Sequence, residues 1–409
     1  MIADTSSAKL IDKCLISDGD VEKILDLGMH PYADTFINES QLGMTEPVFP
    51  LECYLCPESG QIQLGYISSD FERYNLYAYS YTSSNSSFSR SHWDDYYKTM
   101  VARFDLKNKF IVEIGSNDGY LIQQFKLTNK VLGVDPSKAM AEIAGTQYDV
   151  ETVNDFFTSA SGQQIKTDFE PADLIIANNV FNHSNDPLDF AKGVHHLLKN
   201  EGVFVFESPY WLDTIQSQHF DQIYHEHVSY FTVKSAYNLL SKVGLEIFDI
   251  EHVDYHGGSI RVYSRKIIND APRPTDQVTK MINQEIELGL FDIDTYKKFQ
   301  KDITITRDQF LEKLYSIKSQ GSPIVAVGAA AKGNTLLNFY NLDKTVIDFV
   351  TDSSEHKQGK YTPLTRIPIV GDEIFAEYKQ GVYALVLSWN IGDILKENLL
   401  NINNKIKFL

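Results

Sequence analysis

The sequence predicts an α/β protein in which two strand–turn–helix units follow a small cysteine-bearing module. Three observations carry this. Residues 110–135 read FIVEIGSNDGYLIQQFKLTNKVLGVD: a β-branched run, a glycine turn, a helix-period stretch and a second apolar run ending on an acid. The same order returns at IVAVGAAAKG, residues 324–333, with a later strand ending at Asp352. All three cysteines, Cys14, Cys53 and Cys56, fall at one end of the chain amid apolar alternation.

At roughly 100–200 residues per domain, 409 residues exceed one core. The composition shifts divide them into a module over 1–75, a first α/β domain over 76–267 and a second over 268–409. A formal charge of −18 argues against nucleic acid or an anionic membrane as partner, since both reward clustered Lys and Arg. The N-terminus MIADTSSAKLIDK has neither a basic n-region nor an apolar h-region, and no apolar run reaches the about 18 residues of a span. A cytoplasmic protein is expected.

In the first module Cys53-Tyr-Leu-Cys56 reads as the knuckle of a zinc ribbon. Structural zinc wants four ligands, and the position three after Cys14 is Ser17, a poor one. Either Asp18 or His30 supplies the missing contact, or the knot packs without metal as a small apolar core. Tyr77, Tyr79 and Tyr81 then alternate, which on a strand sets their phenols on one side, where they could line a sugar pocket. Residues 82–87, TSSNSS, read as a loop or linker, before a helix-like stretch through His92 and Trp93.

Gly115 and Gly119 let backbone approach a ligand, and Asp135, 22 positions after Glu113, is placed to accept from both ribose hydroxyls. A dinucleotide fold wants G-x-G-x-x-G for pyrophosphate. Here Glu113 and Asp118 flank the turn instead; they would repel phosphate and suit a cationic nucleoside such as S-adenosylmethionine. Asn154-Asp155 after the third strand would contact adenine or cap a helix. The fourth strand, residues 172–177, delivers Asn178, Asn179 and His183 to the carboxyl edge of the sheet, where open α/β folds bind ligands. The fifth, 202–207, opens with Glu207-Ser-Pro-Tyr210 over the same edge.

Residues 219–230, HFDQIYHEHVSY, hold the densest set of titratable groups in the chain. Read as extended, His225 and His227 share one face while Tyr224 and Glu226 share the other. No carboxylate or cysteine cluster completes a metal set, so a general acid/base role is preferred over a metal pair or a structural one. His256-Gly-Gly258 offers a close backbone approach or a bulge. Beyond a turn at 269–274 come amphipathic helices through 285–290 and 309–314, and then the second unit. There Gly328, Lys332 and Gly333 form an anion cradle at a strand-to-helix junction.

Cys14…Cys53-x-x-Cys56 enclosing LDLGMHPYADTF, Tyr79-x-Tyr81-x-Ser-Ser, Glu113-x-Gly-x-x-x-Gly119, Tyr224-x-Glu-His227, His256-Gly-Gly258 and Gly328-Ala-Ala-Ala-Lys-Gly-Asn-Thr335 follow one another across nearly the whole chain. In that order they resemble the sugar-nucleotide C-methyltransferases that make branched deoxysugars. The resemblance implies a structural-zinc module with Cys14, Cys53 and Cys56 as ligands, a class I methyltransferase Rossmann-like domain and a second Rossmann-like domain for the substrate nucleotide; a monomer would be allowed. It implies methylation at C3 of a 4-keto-6-deoxy sugar on a nucleoside diphosphate, commonly dTDP, with S-adenosylmethionine as donor. His227 matches the base, and Tyr224, Glu226, Asn179, His183, Tyr79 and Tyr81 match the sugar site. His225 stands at an often acidic position and would allow a two-histidine relay. Glu113, Gly115, Gly119, Asp135, Asn154, Asp155 and Asn178 are expected around the cofactor, and His256, Gly257, Gly258, Lys332, Asn334 and Asp352 around the substrate. The alternatives are O- or N-methylation of a nucleotide sugar, and a non-catalytic sugar-nucleotide-binding protein.

Overall fold

A strand without polar alternation survives only where both faces are covered. Phe110–Ile114 and Ala172–Asn178 are such runs, paired in parallel at the heart of a seven-stranded sheet. The computed structural model describes residues 8–75, 82–84, 86–267 and 274–409. Tyr77, Tyr79 and Tyr81, and most of the turn expected at 269–274, lie outside the described residues.

The sheet order is Leu245–Val253, Ser259–Lys266, Leu198–Pro209, Ala172–Asn178, Phe110–Ile114, Lys130–Val134 and Thr152–Val153. Ser259–Lys266 runs against the other six. The chain leaves Phe110–Ile114 on one side and returns on the other at Ala172–Asn178. A crevice therefore opens beyond the carboxyl ends of these two strands.

One expectation fails here. The helix read after Gly119 is a single 3-10 turn, Ile122–Phe125. Retracing a five-residue strand, about 17 Å at 3.3 Å per residue, takes about eleven helical residues at 1.5 Å each. Only residues 120–129 are available before Lys130–Val134 begins, and the turns at both ends use most of them.

Ile324–Val327 centres a second, five-stranded parallel sheet, ordered Ile369–Val370, Val350–Thr351, Ile324–Val327, Val382–Val386 and Ile406–Phe408. Its direction of travel also reverses at the central strand, beside Gly328 and the start of helix Ala331–Phe339. Helices Asp276–Glu287 and Ile293–Ser319 connect the two sheets in sequence. Gly289, at φ +70°, ends the helical run at 285–290 early, whereas 309–314 lies inside the longer helix. Among the described residues no helix is long and apolar enough to cross a membrane.

Glu22–His30, Phe49–Cys56 and Gln61–Leu64 make an antiparallel sheet whose fourth strand, Ser229–Tyr230, comes from the histidine-rich segment. Gln61 Nε2 donates to Ser229 Oγ at 2.9 Å, and the Leu64 N–H to the Val228 carbonyl at 2.9 Å. The loop after Glu22–His30 reaches the other way: Asn334 Nδ2 donates to the Ala33 carbonyl at 2.6 Å, and Ile37 pairs with Tyr361. The N-terminal sheet thus braces both α/β units.

Candidate active site

Beyond Gly115 lies a cavity of about 220 Å³. Of the expected cofactor residues, Glu113, Gly115, Asp135, Asp155 and Asn178 line it, joined by Asn179 and His183; Gly119 and Asn154 do not. Gly115 has φ +68°, and a Cβ there would come within 2.7 Å of Val180. Gly119, at φ +83°, makes room instead for Ala144 of the next helix, 2.9 Å from an added Cβ. Asn154 Nδ2 donates to the Asp135 carbonyl at 2.9 Å, so it holds the strand end in place.

Asp135 accepts the Asn117 N–H on one oxygen and the Ser137 N–H on the other, each at 2.8 Å. Each oxygen keeps a further lone pair. Burial pushes this carboxyl up to about 6, which leaves it ionised at neutral pH. Burial also drives Glu113 well above the usual range, with Asp118 adding to it, and Glu113 Oε2 has no hydrogen-bond partner among the described residues. Ser116 Oγ and Asn179 Oδ1 are likewise buried without one among those residues. Acidic walls and orphaned acceptors fit a positively charged nucleoside and oppose a phosphate.

Asp118 has a different task. It accepts from the hydroxyls of Ser83 and Ser84 at 2.7 and 2.6 Å and from the Ser84 N–H at 3.1 Å. Residues 83 and 84, read from sequence as linker, are therefore docked on the glycine turn.

At the far end of the cavity the His183 ring lies 5.0 Å from that of His227. His227 Nδ1 is 2.9 Å from the Gln222 carbonyl, which can only accept, so Nδ1 carries the proton. Burial pushes the imidazole down to about 3, so it is neutral and Nε2 holds a lone pair. The Tyr224 hydroxyl donates to that nitrogen at 2.7 Å.

The extended reading of this segment fails. The His227 N–H donates to the Tyr224 carbonyl at 2.9 Å, closing a turn over 224–227 that brings Tyr224 and His227 together. His225 is thrown to the opposite side, where its ring packs 5.6 Å from Phe49 and 6.3 Å from Tyr32. A relay between His225 and His227 is therefore not formed. Glu226 also faces the N-terminal module, accepting the Asp34 N–H at 3.1 Å. Both are anchors of the turn.

The remaining expected residues are scattered around this centre. Glu207, fully buried, pairs with Arg261 at 2.8 Å and with His92 at 2.7 Å. Sequence reading missed both partners, which lie 54 and 115 residues away respectively. His256 is left-handed at φ +53°. Gly257 makes room for a protein group: its Cβ would meet Trp389 at 2.4 Å, and that of Gly258 would meet Asp213 at 2.2 Å. Asn334 is the brace to Ala33 described above. Asp352 accepts the Ala329 and Ser354 amides at 2.8 and 2.9 Å, reproducing the arrangement at Asp135.

The cysteine corner differs from the expected knuckle. Residues three apart on a strand point to opposite faces, and both Cys53 and Cys56 belong to Phe49–Cys56. Cys53 is sealed in the core with Leu51 and Leu55, and burial pushes its thiol up. Cys56 instead faces Cys14: Cys14 Sγ lies 3.2 Å from Ser59 Oγ, and Ser17 Oγ 3.6 Å from Cys56 Sγ. Two turns, 14–17 and 56–59, thus converge with two thiols and two hydroxyls. Among the described residues no group of three or more His, Cys, Asp or Glu is placed to hold a metal. This donor set does not complete the four ligands of a structural zinc site. Ser17→Cys combined with Ser59→Cys is expected to retain zinc through dialysis against a chelator that strips the wild-type chain. Equal retention in metal analysis would show that the hydroxyls suffice.

Three family models match in succession: a "Putative zinc binding domain" over residues 14–73, a methyltransferase domain over 87–250 and a C-methyltransferase C-terminal domain over 254–408. C-methyltransferase NovU of Streptomyces niveus is 30% identical over 392 residues, 95% of this chain and 92% of that one. Among solved structures, magnesium protoporphyrin IX methyltransferase from Synechocystis with bound SAH is 13% identical over 44% of this chain and 83% of its own, at a TM-score of 0.35. N-methyltransferase NodS from Bradyrhizobium japonicum is 12% identical over 45% of this chain and 99% of its own, also at 0.35. Because the NovU match runs through all three matched domains and nearly the full length of both chains, this chain belongs to the S-adenosylmethionine-dependent C-methyltransferases.

Proposed function

We propose that the protein methylates C3 of a 4-keto-6-deoxy sugar carried on a nucleoside diphosphate, dTDP in the first instance. The observation that carries this is the neutral His227, with Nδ1–H fixed on a carbonyl and Nε2 unprotonated and bonded to Tyr224, one ring away from the cofactor cavity. Methylation at carbon needs a base, because a C–H bond must first give up its proton; the ketone at C4 makes the C3 proton acidic enough to remove.

The acidic and amide groups at Glu113, Gly115, Asp135, Asp155 and Asn178 would hold S-adenosylmethionine, which supplies an electrophilic methyl group. With the Tyr224 hydroxyl turned from Nε2 to the sugar, His227 Nε2 takes the C3 proton, and the Gln222 carbonyl steadies the imidazolium that forms. Tyr224 and His183 orient the ring, and the amide of Asn179 meets its hydroxyls. A nucleoside site in the second unit is supported by Asp352, whose two amide contacts match those of Asp135. Tyr79 and Tyr81 are proposed for the sugar pocket on the sequence resemblance alone.

The test is to incubate the purified protein with dTDP-4-keto-6-deoxyglucose in deuterated water, with and without S-adenosylmethionine. C3 exchange without the cofactor, and a mass gain of one methyl on the sugar with it, are expected. Methyl transfer without any exchange would overturn the carbon-acid mechanism.

A further inference from the structure

Lys332 belongs to the second unit but does not face its own crevice alone. Its helix, Ala331–Phe339, is fastened to the first unit one turn later, where Thr335 Oγ1 donates to the Ile223 carbonyl at 3.2 Å, next to Tyr224. Asn334, almost fully buried, adds the bond to Ala33. Trp389 completes the junction. Its indole N–H donates to the buried Asp221 at 2.6 Å, and its ring stacks 3.8 Å from that of His219. Gly257 is the residue that lets the indole in. Lys332 Nζ sits 4.7 Å above this indole and donates to Asn390 Oδ1 at 3.0 Å. Among the described residues Lys332 makes no ion pair, and the buried Asp221 attracts it through space.

A cation held by an indole face and a neutral amide is positioned without a direct ion pair, its counter-charge Asp221 acting on it through space. Its surroundings are set by geometry: the Trp389 ring stacks on His219 and fills the space beside Gly257, next to His256, and Thr335 on the Lys332 helix is bonded to Ile223, four residues before His227. The charge of Lys332 adds to burial in holding these imidazoles neutral. Burial lowers Lys332 itself to about 8, opposed by Asp221, so it stays largely protonated at neutral pH.

We propose that the Lys332 ammonium stabilises the negative charge that develops on the substrate's C4 oxygen, which makes the reacting centre a joint product of both α/β units. This rests on the carbon-acid reading above. When the C3–H bond breaks, its proton goes to His227 Nε2 and its electron pair forms the C3–C4 double bond, displacing charge onto O4. That oxygen is about 2.4 Å from C3 by covalent geometry, so whatever stabilises it must stand beside the base. C3 then bonds to the methyl carbon while the S–CH3 bond breaks, its electron pair staying on sulfur. The C4 carbonyl re-forms, and charge on Lys332 returns to its resting balance. Trp389 and Asn390 hold the ammonium at the junction that Thr335 and Trp389 fasten to the 219–227 segment, which carries the base.

The test compares Lys332→Met, the closer match in shape, and the polar Lys332→Gln with wild type in two measurements, C3 deuterium exchange at saturating sugar nucleotide and binding of dTDP alone. Loss of one preorganised charge at a developing oxyanion costs roughly 10²–10³ in rate. Exchange is expected to fall by that factor in both variants, with dTDP affinity changed less than about threefold and S-adenosylmethionine binding retained as proof of folding. Any other pairing of the two readings overturns the assignment, including a loss of dTDP affinity with exchange intact, the signature of a phosphate ligand. Absence of exchange in the wild-type protein would instead overturn the substrate reading, which separates the two failures.

Discussion

Replacing His227 by alanine is expected to lower methyl transfer by roughly 10²–10⁴, the usual contribution of a positioned general base. C3 exchange should fall in parallel, because both need the same proton removed. Cofactor affinity should hold, since His227 is not among the residues lining the cofactor cavity. His225→Ala is the informative contrast. That ring packs between Phe49 and Tyr32, so its loss should destabilise the junction with the N-terminal sheet by about 0.5–3 kcal/mol and leave turnover within a few fold. If the two variants exchanged these behaviours, the turn over 224–227 would have been misassigned as the feature that selects the base.

For Asp135→Ala the expected change is in cofactor binding. Hydrogen bonds from ribose to an ionised carboxylate are worth about 1.5–3 kcal/mol, so the dissociation constant of S-adenosylmethionine should rise roughly 10–100-fold. Asp135→Asn keeps an acceptor for the Asn117 or Ser137 amide and separates the loss of charge from a collapse of the turn. In the wild type, affinity should weaken as pH falls through about 6, where this carboxyl takes up a proton. Unfolding by this group cannot mimic that trend. A carboxyl raised above its unfolded value binds protons more readily in the folded state, so its contribution to stability grows on acidification. A pH-independent affinity between 5 and 8 would move the ribose contact elsewhere.

The first crevice was legible because its determinants are local. A β-branched run, glycines at fixed offsets and an acid ending the next strand dictate backbone and ligand chemistry within about 25 residues, and the cavity indeed forms at Gly115 and Asp135. Within the same stretch the helix failed, because chain length between strands, which periodicity does not measure, allowed only one turn. His227 was also legible as a candidate, being a titratable group in a polar segment beyond the sheet edge. Its partner was not: a strand period paired it with His225, whereas the hydrogen bond across the turn paired it with Tyr224.

What the sequence determined by itself is the α/β class, the two glycine turns with their acids, and the family, since each rests on residue types at short spacing. What only the tertiary structure decided is every relation between groups distant in sequence. Cys14 meets Ser59 rather than Cys53, because strand pleat puts residues three apart on opposite faces and chain reversal brings the two turns together. Asp118 docks the serine loop, Glu207 joins His92 to Arg261, and Trp389 joins Lys332 to His219 of another domain. Such pairings depend on where folded layers come into contact, and that is fixed by the packing of both sheets against the N-terminal module.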